Sequence, residues 1–233
     1  MARRELGRLH YAMEPIFNTE FRRPLAERMI GYELLYRVPC AHFPDRALFE
    51  ALARNALGTT LHINVRSDSV LTFDEVLVGE AAAANGLVLE WVEQADERSQ
   101  RRIQEVADQL SMWRDRYGVK IAIDDWGNGL CGMARFLALE QPPEIVKFDG
   151  KLFHRILAGN DTALSFTRHI IDALPKEVTK IMEWVEQEGH LDLAVRMGVD
   201  AVQGRLYSGD TRALSLDDVE PIYGDRPRRC AGT

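Results

Sequence analysis

Eight short apolar or β-branched runs punctuate this chain, at residues 9–16, 30–37, 60–65, 86–91, 119–125, 144–149, 178–184 and 199–204. Amphipathic stretches separate most of them. Apolar positions recur at helical spacing over 45–57, 97–117, 161–174 and 187–197. Strand alternating with helix implies parallel strands covered by helices, an α/β architecture. Eight such strands within 233 residues favour a closed barrel over an open sheet, because a TIM-like (β/α)8 barrel needs roughly 250 residues. One domain over 1–233 is expected, with its core at about 9–210 and a polar, frayed tail at 224–233. The connection 17–30 holds Pro24 and few apolar periods. A hairpin-like loop there leaves an antiparallel first pair open. Asp161 and Thr162 are the expected caps of the helix that follows. Gly118, Gly189 and Gly198 fall in or beside connections, where positive φ costs glycine little.

Charge narrows the function classes. Lys and Arg number 29 against 36 Asp and Glu, a net charge of −7. That argues against a DNA- or RNA-polymer surface, which needs a basic field. No apolar run reaches the roughly 18 residues of a membrane helix, and the basic residues 1–8 lead into no apolar export signal. Cys40, Cys131 and Cys230 are odd in number, distant and without a CxxC pair. A disulfide framework and a structural zinc are both disfavoured, and a reducing cytoplasm is the expected compartment.

The strand ends carry the chemistry. Strand two ends in Glu33 and Arg37, strand three in Asn64, strand four in Glu90 with Glu93 beyond. Strand five ends in Asp124 and Asp125, strand six in Lys147 and Asp149, strand seven in Glu183 with Glu186 beyond, and strand eight in Gln203. In a parallel barrel these ends form one bowl, where functional groups sit. Residues two apart share a strand face, so Glu90, Asp124 and Glu183 follow apolar partners onto a common side. Converging carboxylates repel unless protonated or held by cations. Glu33, Asn64, Glu90, Asp124, Asp125 and Glu183 form an all-oxygen set suited to Mg²⁺ or Mn²⁺. Two adjacent aspartates suit two cations, an arrangement that serves phosphoryl transfer. Lys147 is placed to orient a water, and Arg37 to hold a phosphate.

Singly, each residue has a plainer reading. Glu33 or Glu90 suits a solvated strand exit, Asp124-Asp125 before Gly127 a turn, Lys147 a surface, and Gln203 before Gly204 a turn. His62 shares a face with Asn64 and reads as a satisfied core histidine; Trp91 and Trp184 read as rim packing, and Cys131 as an inert thiol. The pentapeptide Glu-Trp-Val-Glu-Gln occurs at 90–94 and again at 183–187. It is either chance duplication or two strands delivering a carboxylate to one place.

In order along the chain, the motifs are Glu33-Leu34-Leu35-Tyr36-Arg37, Asn64 in HINVR, Glu90-Trp91-Val92-Glu93, IAIDDWGNG at 121–129, IVKFDGKLF at 145–153, MEWVE at 182–186 and VQG at 202–204. Together they resemble the EAL domain family of bacterial cyclic di-GMP phosphodiesterases, over residues from about 9 to about 210. The resemblance implies a (β/α)8-like barrel whose first strand runs antiparallel, and hydrolysis of cyclic di-GMP to linear pGpG. It implies two divalent cations, Mg²⁺ or Mn²⁺. Glu33, Asn64, Glu90 and Asp124 would hold one of them; Asp124, Asp125 and Glu183 would hold the other. It further implies that Lys147 contacts the hydrolytic water, with Glu183 and Asp125 also in the catalytic group. Gln203 would support cation-associated water or substrate, and Glu93 would brace the loop after strand five. Arg37, Leu35, Glu14 and Asp149 would face the dinucleotide. A homodimer through the region after strand five, around Met133 and Phe136, is implied as well.

Departures from the family pattern keep a second reading open. The family's Gln-Pro-Ile is Glu14-Pro15-Ile16 here, so a carboxylate meets a phosphate or base edge instead of an amide. The strand-five loop continues as Asn128-Gly129-Leu130-Cys131-Gly132, and Val92 replaces a threonine. Leu34 replaces the motif alanine, but alternation turns it away from Glu33. The alternative is a non-catalytic module that binds cyclic di-GMP or a protein.

Overall fold

The computed structural model describes residues 11–36, 45–93, 99–127 and 132–207. Arg37, the three cysteines, the loop 128–131 and the tail 224–233 lie outside these residues. The described elements follow the expected alternation. They are β1 (Tyr11–Asn18), α1 (Leu25–Arg28), β2 (Met29–Tyr36), α2 (Asp45–Arg54), β3 (Thr60–Val65), α3 (Ser67–Thr72), α4 (Glu75–Ala84) and β4 (Gly86–Trp91). Then come α5 (Gln100–Tyr117), β5 (Lys120–Trp126), α6 (Gly132–Ala138), β6 (Ile145–Phe148), α7 (Gly150–Leu157) and α8 (Asp161–Ala173). The chain continues with β7 (Thr179–Met182), α9 (Glu188–Met197), β8 (Ala201–Gln203) and a 3₁₀ turn at Arg205–Tyr207.

The eight strands close into a barrel in sequence order. β1 runs antiparallel to both β2 and β8, and the remaining neighbours are parallel. The antiparallel start follows from the 17–30 connection, which carries only the four-residue α1 and so returns the chain beside itself. No helix of the described residues is long and apolar enough to cross a membrane.

Two apolar layers hold the barrel. The larger lies between strands and helices and includes Leu34, Leu61, Ile63, Leu89, Trp91, Ile121, Ile123, Val146 and Phe148 with Leu110 and Trp113 of α5. The smaller lies within the barrel and joins Ile16, Val88, Ala122, Ile145, Ile181 and Ala201. Alternation explains the division, because neighbouring strand residues point to opposite faces. Leu34 lies in the outer layer, away from Glu33, as alternation requires.

Helix ends obey local chemistry with two corrections. Gly118 (φ 68°) and Gly198 (φ 89°) end α5 and α9 in the left-handed conformation. The cap of α8 is Asn160, whose side chain accepts from the Ala163 amide at 2.9 Å; Asp161 is already the first helical residue. Gly189 sits inside α9 with no positive φ, so no turn requirement applies to it.

Candidate functional site

The inner layer explains where the polar groups go. Stepping two residues up each parallel strand leads from the apolar plug to a polar rim: Val88 to Glu90, Ala122 to Asp124, Ile145 to Lys147, Ile181 to Glu183 and Ala201 to Gln203. β3 steps from His62 to Asn64 and β2 from Gly31 to Glu33. Antiparallel β1 steps the other way, from Ile16 back to Glu14, whose Cα is paired with that of Glu33. Every strand therefore supplies one polar side chain to the bowl.

At its centre stands Lys147, fully buried on β6. Its Nζ lies 3.0 Å from Glu33 Oε2, 2.9 Å from Glu90 Oε2, 2.9 Å from Glu183 Oε1 and 3.2 Å from Asp124 Oδ1. Both copies of the repeated pentapeptide thus deliver their first glutamate to the same ammonium. An ammonium carries three N–H donors, and Glu33, Glu90 and Glu183 take them. Asp124 Oδ1 is left buried without a hydrogen-bond donor. Asn64 Nδ2 donates to Glu33 Oε1 at 2.7 Å. Gln203 Nε2 donates to Glu33 Oε2 at 2.6 Å and to Glu14 Oε2 at 2.7 Å. The other amide atoms, Asn64 Oδ1 and Gln203 Oε1, are buried acceptors without a donor.

Asp125 reaches the bowl by a backbone exception. Its neighbour Asp124 already faces inward, so alternation would turn Asp125 outward. Instead Asp125 adopts φ 56°, and the β5–β6 register shifts between Ile123 and Trp126. The left-handed residue folds its side chain back, and carboxylate oxygens of Asp124, Asp125 and Glu183 lie within 4.8 Å of one another. Asp149 Oδ1 caps α7, accepting from the amides of Lys151 at 2.7 Å and Leu152 at 3.1 Å.

The electrostatics show a cluster short of positive charge. Burial pushes Glu90 well above the usual carboxylate range, with the charges of Glu33 and Asp124 adding to it against Lys147. Glu183 is pushed up to about 8 by burial, with Asp124 and Glu33 reinforcing the shift over the opposing Lys147. Asp125 rises to about 6 through burial, then the charge of Asp124 and contact with Asp149. Glu33 behaves differently. Burial would raise it, but Lys147 and hydrogen bonds from Gln203, Lys147 and Asn64 hold it below its ordinary value. Burial disfavours the charged form of Lys147, yet the four surrounding carboxylates keep it protonated.

These residues fit divalent cations. Glu33, Glu90, Asp124, Asp125 and Glu183 set five carboxylates against one ammonium. Fully ionised, they leave four negative charges, the charge that two divalent cations carry. The donor set is all oxygen, and three of its buried acceptors lack a donor.

Of the remaining expected residues, Leu35 is half-buried on β2, two along from Glu33 and on its face. Glu93 Oε2 lies 3.7 Å from Arg135 of α6. Arg135 is a residue the sequence reading passed over. Fully buried, it donates to the carbonyl oxygens of Trp91 and, at 2.9 Å, Asp124, tying the ends of β4 and β5 to α6. Its only sequence signal is a lone charge within the apolar run Met133–Leu137. The two tryptophans of the pentapeptides part company. Trp91 is fully buried with Nε1 donating to Ser67 Oγ at 3.1 Å. Trp184 is 45% exposed at φ 57°, edge-on to His154.

Comparison with known proteins meets the geometry at this point. The EAL domain profile matches residues 46–210. The Escherichia coli K12 protein PdeI, named a probable cyclic di-GMP phosphodiesterase, is 30% identical over 187 residues, covering 76% of this chain and 22% of its own length. The chain thus spans about a fifth of that relative. An EAL domain protein from Listeria monocytogenes EGD-e superposes with TM-score 0.65 at 18% identity, covering 91% of this chain and 94% of the other. Klebsiella pneumoniae BlrP1, solved as a calcium and cyclic di-GMP complex, superposes with TM-score 0.64 at 22% identity, covering 84% of this chain and 54% of BlrP1. With the profile spanning more than half its length and the strand-end motifs gathered on one rim, the chain belongs to the EAL domain family.

Proposed function

We propose that this chain is a metal-dependent phosphodiesterase that hydrolyses cyclic di-GMP to linear pGpG. The observation that carries the reading is the convergence of Glu33, Glu90, Asp124 and Glu183 on Lys147, with Asp125 drawn in beside them. The names of the curated relatives and the ligand in the BlrP1 complex support the choice of substrate.

Glu33, Asn64, Glu90 and Asp124 would hold one divalent cation, Mg²⁺ or Mn²⁺, and Asp124, Asp125 and Glu183 the second. Such a pair supplies charge neutralisation at the phosphate and lowers the pKa of water. Hydrolysis to pGpG forms one bond from the water oxygen to phosphorus and breaks that phosphorus's bond to a ribose 3′ oxygen, which leaves with a proton. Lys147, anchored by its carboxylates, would contact the attacking water. Gln203 presents a free Oε1 to the bowl and would orient water or substrate. Leu35, Glu14, Asp149 and Arg37 complete the proposed substrate group, and Glu93 braces the strand-five loop through Arg135. A homodimer through α6 is proposed on the exposure of Met133 and Leu137, and a cytoplasmic setting on the cysteine pattern.

A second reading, cyclic di-GMP binding without turnover, is favoured by Glu14. Its carboxylate adds a further negative group to the bowl beside Gln203, where the dinucleotide phosphates would approach. Incubation of the chain with cyclic di-GMP and Mg²⁺ or Mn²⁺, read by chromatography, separates the two. Release of pGpG that disappears in Glu33→Ala supports hydrolysis. Calorimetric binding with the ligand intact after hours supports the second reading.

A further inference from the structure

His62 is the exception in the barrel's plug. The layer beneath the rim comprises Ile16, Gly31, His62, Val88, Ala122, Ile145, Ile181 and Ala201, and among these described residues only His62 has a polar side chain. It is 1% exposed. A polar ring placed there needs a partner, and its Nδ1 lies 2.8 Å from Glu90 Oε1. Glu90 divides its two oxygens: Oε1 faces His62 below, and Oε2 faces Lys147 at 2.9 Å in the bowl. Room for the ring comes from Gly31. A Cβ at Gly31 would stand 3.4 Å from His62 Cδ2, within tight contact. Cδ2 and Nδ1 lie on opposite sides of the imidazole, so the ring spans from β2 to β4 with its nitrogen fixed toward Glu90.

We infer that His62 is a positioning residue for Glu90: its Nδ1–H donates to Oε1 and thereby turns Oε2 toward the bowl, where a divalent cation would sit. The inference rests on the proposed role of Glu90 as a cation ligand. Partners that orient a ligating group from outside are worth about 10–100-fold in metal affinity. The assignment also accounts for the spacing of the HINVR motif, in which His62 and Asn64 are two apart and so share one face. Asn64 tethers Glu33 from the rim, and His62 tethers Glu90 from below.

The test is Mn²⁺ titration of the chain without substrate, by calorimetry and by the Mn²⁺ paramagnetic resonance signal, with circular dichroism to follow folding. His62→Leu removes the donor and is expected to bind at least about tenfold more weakly. The amide of His62→Asn reaches the place of Nδ1, so this variant is expected to stay within about threefold of wild type. His62→Gln places its amide where Nε2 stands and is expected to follow His62→Leu. The Asn and Gln variants carry the test if the Leu variant fails to fold. Wild-type binding with unchanged affinity in His62→Leu, or equal affinities in the Asn and Gln variants, overturns the role of His62 alone. A wild type that takes up no Mn²⁺ overturns the cation reading itself and the inference with it.

Discussion

Lys147 Nζ and Glu183 Oε1 stand 2.9 Å apart on adjacent strands, each buried where neither would be stable alone. The lysine is counter-charge to four carboxylates at once. Lys147→Met is therefore expected to destabilise the chelator-treated protein by about 3 kcal/mol or more, with Mn²⁺ restoring part of the loss. Thermal unfolding with and without Mn²⁺ checks this. Turnover should fall at least about a hundredfold if the amine contacts the attacking water.

Stability without cations should fall as pH rises. Unfolded Glu and Asp release protons near 4.5 and 3.8, whereas Glu183 holds its proton to about 8 and Asp125 to about 6. Between those values the native state binds more protons than the unfolded state, so stability declines with pH. Glu33 acts with the opposite sign, its contribution being lost as pH falls below its ordinary value of 4.5, outside that window. Unfolding midpoints in chelator should drop from about pH 5 to about pH 8. Divalent cations replace the protons, so the stabilisation they confer should be largest at the alkaline end.

Arg135 predicts a loss transmitted to the bowl. Arg135→Leu leaves the carbonyls of Trp91 and Asp124 without this donor. At about 1–3 kcal/mol for each buried acceptor left unpaired, the variant should lose about 2–5 kcal/mol. Denaturant unfolding measures that cost, and Mn²⁺ affinity should weaken as Asp124 shifts.

Trp184 separates backbone from side chain. A bulky residue at φ 57° bears a left-handed penalty that glycine escapes. Trp184→Gly should thus be more stable than Trp184→Ala by about 1 kcal/mol, although it has fewer side-chain atoms. Comparing the two melting curves decides it. Gly150→Ala should be harmful, because a Cβ there would overlap the Trp184 indole.

Period-two reasoning carried the eight strands and the rim assignments of Glu33, Glu90, Asp124 and Glu183, because apolar plug and polar rim repeat the same two-residue step. It failed at Asp125, where alternation predicts the outer face and a positive φ reverses it. It also missed α3, α4 and α7. The first and last are short, and the Ala-rich α4 shows no apolar stripe to mark it. His62 and Arg135 were illegible for another reason: the worth of a lone polar side chain depends on atoms far away in sequence. His62 meets Glu90 across 28 residues and Arg135 meets Trp91 across 44. The fourfold coordination of Lys147 belongs to the same class.

Gln203 joins Glu33 across 170 positions of chain, and does so from the last strand of the barrel. A polypeptide emerging from the ribosome holds Glu33 for most of its synthesis with neither Gln203 nor Glu183 available to complete the rim. Until β7 and β8 arrive, the early carboxylates face an open trough that water can fill. Chemistry in this fold is thereby timed by translation itself, since a nascent or truncated product ending before residue 203 lacks the seam that closes the bowl.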